Sequence, residues 1–228
     1  MERFKEIVLS PVFITIVIIV VGVGGLAAIV LSSKNKASSV NQQPYKEYAQ
    51  IAGKEADINT QTKVTMEEYG DFECPACESF YQSGLVSQVQ TKYGEKVKLI
   101  FRQFPLTSLH PYAFRGAEAN LAAGSQGKFW EMHNKLYDTQ PSFSNSDGTA
   151  NGPTVDNLIS MAKEIGVPDM TKFSDEMKTD AYHDAVEKDM NRGNGLGVNA
   201  TPTIFLNGQK YSGNWTIDDI SAVIDKIN

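Results

Sequence analysis

The chain has 228 residues, 41% of them hydrophobic, enough for one well-filled domain or a domain carrying an insertion. Its 21 basic residues stand against 27 acidic ones, a formal net charge of −6. No basic stripe gathers along any segment, which excludes nucleic acid as a partner.

Val12 to Leu31 is a run of 20 residues with no charge and a single hydroxyl, Thr15. As a helix it would span roughly 30 Å, the hydrocarbon thickness of a bilayer. A cleavable secretory signal has an apolar stretch of only about 7–15 residues and a small-residue cleavage site. The run therefore predicts an uncleaved transmembrane anchor at 12–31, with a cleaved signal as the alternative and residues 1–11 as a short cytoplasmic N-terminus. Arg3 and Lys5 precede the run and Lys34 and Lys36 follow it, so the charge bias is slight. The short flank ahead of a long following domain favours a single-pass protein with its domain outside a bacterial cell membrane, anchored through membrane lipid. Residues 32–61 are rich in Ser, Asn, Gln, Lys and Ala and predict a linker, with a helical or strand-like piece near Tyr45 to Ile51.

The remaining stretch, 62–228, predicts a catalytic domain. Lys63 to Phe72 alternates as a strand, with Val64, Met66, Glu68, Gly70 and Phe72 on one face. Pro75 suits the first turn of a helix, because it lacks an N–H that would be orphaned there. Phe80, Leu85, Val89 and Tyr93 carry one apolar stripe along that helix until Gly94 stops it. Val97 to Phe104 is a second strand, ended by Pro105. A long helical stretch follows at about 107–195, with Ala113, Ala117 and Leu121 on one stripe and Phe129, His133 and Leu136 on another. Val155, Leu158, Ile159, Ala162 and Ile165 form a third, N-capped by Thr154. Ser144 to Pro153 is polar and predicts an exposed loop. It is not a calcium loop, because Phe143 and Thr154 occupy the positions that need acids. Thr203 to Leu206, Asn207-Gly208 and Gln209 to Ser212 predict a hairpin, and Thr216 with Asp219 opens a final amphipathic helix. This order is that of an α/β thioredoxin fold with a helical insertion.

The two cysteines of the whole chain lie at Cys74-Pro75-Ala76-Cys77, between the first strand and its helix. Their spacing allows a small redox-active ring, and no other thiol competes with it. At a helix start, unpaired N–H groups and the helix dipole stabilise a thiolate, so Cys74 is the expected nucleophile and Cys77, one turn deeper, its shielded partner. The competing reading, an inert structural disulfide, encloses too short a loop to add much stability. No second cysteine pair or His cluster completes a metal shell, so neither a metal nor another cofactor is expected. Glu68, on the apolar face of the first strand, is either a buried carboxyl that exchanges a proton with Cys77 or a solvated edge residue. His110 and His133 read as a turn residue and a helix-packing residue.

Glu68-Tyr69-Gly70-Asp71-Phe72-Glu73-Cys74-Pro75-Ala76-Cys77 resembles the active-site segment of bacterial DsbA-like thiol–disulfide oxidoreductases, particularly the membrane-anchored Gram-positive type. The resemblance continues through Phe104-Pro105-Leu106, His110-Pro111, Gly127-Lys128-Phe129-Trp130 and Thr201-Pro202-Thr203. It implies a redox-active Cys74–Cys77 disulfide, a cis Pro202 facing it, and a Thr201 backbone available to an extended substrate. Ala76 departs from the prototype, which has His there and thus one more group to support the thiolate. The expected activity is an extracytoplasmic oxidase, acting on reduced, unfolded secreted or surface proteins and reoxidised by a DsbB-like membrane thiol oxidase. Alternatives are a reductase or isomerase using the same site, or a Cu(I)-binding or peptide-holding module. With no evident dimerisation segment, the chain is expected to be a monomer.

Overall fold

The computed structural model of the protein describes residues 63–143 and 152–227. The expected anchor and linker lie outside them, and no helix of the described residues is long and apolar enough to cross a membrane. A four-stranded sheet in the order β2-β1-β3-β4 forms the centre. β1 (Val64–Gly70) runs parallel to β2 (Val97–Gln103), while β3 (Thr203–Leu206) is antiparallel to β1 and β4 (Gln209–Lys210) is antiparallel to β3. The parallel step from β1 to β2 passes through α1 (Pro75–Gln82) and α2 (Leu85–Tyr93). Among the described residues five α-helices lie between β2 and β3: α3 (Ala113–Gly124), α4 (Phe129–Thr139), α5 (Val155–Glu164), α6 (Met170–Lys178) and α7 (His183–Gly195). The chain closes with α8 (Ile217–Ile227). This is the thioredoxin fold with a helical insertion.

β1 is a central strand buried on both faces, so it lacks the solvent face that alternation alone would suggest. Glu68 sits in register with Phe101 on one side and Ile204 on the other. Its face joins the main core, shared with Phe80 of α1, Phe129 and Leu136 of α4, and Ile220 of α8. The opposite face carries a smaller cluster of Tyr69, Phe104, Val198 and Phe205. Beside that cluster lies a buried ionic chain. Arg102 Nε donates to Glu67 Oε1 at 2.6 Å and its Nη1 to Asp189 Oδ1 at 3.2 Å, while Arg192 Nε reaches Glu67 Oε1 at 3.2 Å. Asp189 also accepts the Gln103 N–H at 3.1 Å. These bonds strap α7 across the sheet. The approach is close: a Cβ on Gly193 would lie 2.6 Å from the Phe104 ring.

The structure corrects several expectations. The helix after Pro75 is broken, because Gly84 adopts a left-handed conformation (φ 66°) and the Ser83 hydroxyl caps both Phe80 O and Leu85 N–H. The stripe survives the break because Leu85 restarts on the buried side. Gly152 and Pro153 are buried rather than exposed, with Gly152 against the Tyr112 ring; residues 144–151 lie outside the described set. The outer hairpin strand pairs over only two residues, although Tyr211 N–H still reaches Ile204 O at 2.8 Å. Thr154 forms a capping box with Asn157, and Thr216 accepts the Asp219 N–H at 3.2 Å.

Candidate active site

Cys74 is the N-cap of α1, with extended backbone angles (φ −76°, ψ 118°), and Pro75 takes the first helical position. Its carbonyl accepts N–H bonds from Cys77 at 3.0 Å and Glu78 at 3.1 Å, which starts the helix. Both cysteines are free thiols. Cys77 is fully buried on the inner side of the helix, Cys74 lies at the surface edge with 7% exposed, and Pro75 and Ala76 are open to solvent. The Cys74 thiol donates to Thr201 O at 3.3 Å, bringing β3's entry loop against the sulfur. The Thr201–Pro202 peptide is cis.

This geometry separates the two thiols electrostatically. Cys74 is lowered to about 5, chiefly by the hydrogen bond from the Cys77 thiol. Burial opposes that, while the Thr201 side chain and the N–H groups of Cys77 and Ala76 add to it. Cys77 is pushed well above the ordinary thiol range by burial, and further by the neighbouring Cys74 and Glu68 charges. A thiolate at Cys74 and a protonated thiol at Cys77 are therefore the stable pair at neutral pH. Ala76 contributes its backbone N–H to Cys74.

Glu68 lies beneath the pair with 8% of its surface exposed, which removes the solvated-edge reading. Burial pushes its carboxyl up to about 8, so it holds a proton at neutral pH.

Other residues converge on the loop before Cys74, and of these only His110 and His133 carried a reading from the sequence. Asp71 is buried and accepts three bonds at 2.8 Å, from Glu73 N–H, Leu106 N–H and the His110 ring. His110, read as a turn residue, thus ties the β2–α3 loop to the cysteine loop. Glu73 Oε2 accepts the Tyr112 N–H at 2.7 Å. His133 packs in a cage of aromatic rings, with the centroid of Phe101 at 4.7 Å and that of Tyr137 at 5.0 Å. Tyr137 Oη donates to Asp71 O at 3.5 Å. Gln140, just past α4, donates to Phe72 O at 2.8 Å and Cys74 O at 3.2 Å. Contacts across 66 to 68 residues leave no local signal in the sequence.

The family model described as thioredoxin matches residues 59–226, and the chain belongs to that family. BdbD from Bacillus subtilis, in its oxidised form, superimposes with a TM-score of 0.64 at 24% identity, covering 74% of this chain and 89% of that one. DsbA from Mycobacterium tuberculosis, reduced, gives a TM-score of 0.58 at 26% identity, covering 72% of this chain and 82% of that one. A disulfide bond oxidoreductase (DsbG) from the same organism gives 0.57 at 26%, over 72% and 78%. Within its family the chain is a DsbA-like thiol–disulfide oxidoreductase. It is also 34% identical over 154 residues to the Na(+)/H(+) antiporter NhaA 1 of Mycolicibacterium vanbaalenii, a match covering 67% of this chain but 23% of the antiporter. The chain thus spans under a quarter of the length of that curated relative.

Proposed function

We propose that the protein is an extracytoplasmic oxidase that introduces disulfides into reduced secreted or surface proteins through Cys74 and Cys77. The observation that carries this reading is the opposed pair of thiols, one lowered to about 5 and its partner raised by burial. In the oxidised enzyme a substrate thiolate attacks Cys74 Sγ. The Cys74–Cys77 bond breaks and Cys77 leaves with the electron pair, taking a proton from Glu68 directly or through a relay. A second substrate thiol then loses its proton and attacks the substrate sulfur of the mixed disulfide. The substrate disulfide forms and Cys74 departs as a thiolate. Two electrons have passed from substrate to enzyme. A leaving thiolate of low pKa speeds that last step and favours the reduced enzyme, which makes its disulfide oxidising. The Thr201 backbone, beside Cys74 Sγ, suits pairing with an extended peptide.

Reoxidation falls to a membrane thiol oxidase of DsbB type, with electrons passing on to quinone. The apolar run at 12–31 supports tethering beside such a partner, with the domain on the oxidising side of the membrane. The test is oxidative refolding of a reduced multi-disulfide protein, run beside a redox equilibrium with glutathione. The oxidase is expected to accelerate disulfide formation and to equilibrate on the oxidising side of thioredoxin-like reductants. Cys74→Ser should abolish activity, and Cys77→Ser should accumulate mixed disulfides. An equilibrium at thioredoxin-like potentials would assign the same residues to a reductase. No exchange with any dithiol would refute both directions.

A further inference from the structure

The end of α4 grips the reactive loop at a point the chemistry above does not use. Gln140 is buried, and its amide nitrogen donates to two main-chain carbonyls, Phe72 O at 2.8 Å and Cys74 O at 3.2 Å. Three residues earlier, Tyr137 Oη donates to Asp71 O at 3.5 Å, over Gly70, where an added Cβ would lie 3.0 Å from that hydroxyl. One helical turn of the insertion therefore holds the carbonyls of residues 71, 72 and 74.

We infer that Gln140 is a positioning residue for thiol–disulfide exchange, fixing the Cys74 peptide so that its sulfur meets the donors of α1 and the Thr201 loop. The inference rests on the reading of Cys74 as the nucleophile. The Cys74 carbonyl already accepts the Cys77 and Glu78 N–H bonds that start the helix, so the peptide it belongs to is what aims the Cβ–Sγ bond. An amide nitrogen has two hydrogens, one for each carbonyl, and both are used here. Phe72 O accepts the shorter of the two bonds, so loss of the amide takes a donor away from a buried carbonyl in the loop leading to the sulfur. The loop would relax toward solvent, and the thiolate would lose alignment with the N–H groups of Ala76 and Cys77. Helix α4 belongs to the insertion, so the inserted helices would tune the reactivity of a site built on the core sheet.

The experiment compares the wild type with Gln140→Leu, which removes both donors at similar size. Three quantities are read: the pH dependence of Cys74 alkylation, the equilibrium with glutathione, and the thermal stability of each redox form. The expected result is a Cys74 titration displaced to higher pH and an equilibrium shifted at least about threefold toward the oxidised enzyme. An unchanged titration and equilibrium with only a lower melting temperature would overturn the inference, because a merely structural bond would move stability alone. Gln140→Glu supplies the same comparison if the leucine variant does not fold, since an ionised carboxylate offers no donor to either carbonyl. Failure of both to fold would assign Gln140 to the fold alone and overturn the inference too. If the wild type exchanges no disulfide with glutathione, the reading of Cys74 fails. If it exchanges normally and the Gln140 variants match it, only the positioning role fails.

Discussion

Replacing Glu68 by Gln tests the buried carboxyl quantitatively. The carboxyl titrates at about 8 in the folded protein and at 4.5 as a free group. Between those values the unfolded chain is ionised at Glu68 while the folded chain keeps its proton, so unfolding releases a proton. Stability is therefore present in full below pH 4.5 and is lost as pH rises toward 8. At about 1.36 kcal/mol per pKa unit, the full cost above pH 8 approaches ~5 kcal/mol. The same linkage gives about 3 kcal/mol at pH 7 and about 1 kcal/mol at pH 5. Glutamine keeps the size and a polar end but cannot ionise, so Glu68→Gln removes this slope. Burying the extra amide donors adds a cost that does not vary with pH. The diagnostic is thus the stability of the variant minus that of the wild type, which should move in the variant's favour by about 2 kcal/mol from pH 5 to pH 7. Urea unfolding of the reduced proteins, with equal m-values, reads it directly. A gap that stays constant between the two pH values would refute the assignment of a protonated, buried carboxyl at Glu68.

Three further outcomes are expected. Thr201→Val should raise the Cys74 titration above about 5, read as the pH midpoint of alkylation, since the Thr201 side chain helps to hold it down. His133 is held neutral by burial, its pKa lowered to about 4 from 6.5, so the wild type should lose up to about 3 kcal/mol as pH falls from 6.5 to 4; His133→Phe should flatten that acid limb in denaturation curves. Asp189→Ala should destabilise the protein by about 3–5 kcal/mol, because it leaves Arg102 with one of its two buried partners and Gln103 N–H without its acceptor; a melting temperature within a degree or two of wild type would refute the strap.

Much of the fold was readable because local rules govern it. Pro75 at the first turn, Gly94 after the second helix, Thr154 with Asn157, and Asn207-Gly208 at the hairpin each act within a few residues, so their chemistry shows in the chain itself. The spacing of Cys74 and Cys77 is also local, since one helical turn brings both to the same end of α1. Gly84 is the exception. Its left-handed conformation broke a helix whose apolar stripe reads as continuous, because periodicity records which side is buried and not whether the backbone is unbroken.

The sequence by itself determined the helix starts, the apolar faces and the position of the dithiol, for these depend on neighbours along the chain. Only the tertiary structure decided the environment of the sulfurs. Glu68 is a protonated carboxyl because two helical layers close over β1, and solvent access is a property of the packed whole. His110, Tyr137 and Gln140 reach the loop from distant elements, and the Glu67–Arg102–Asp189 chain joins β1, β2 and α7. Hydrogen bonds and charges act through space over a few ångströms, and which groups share that space is settled when the helices dock.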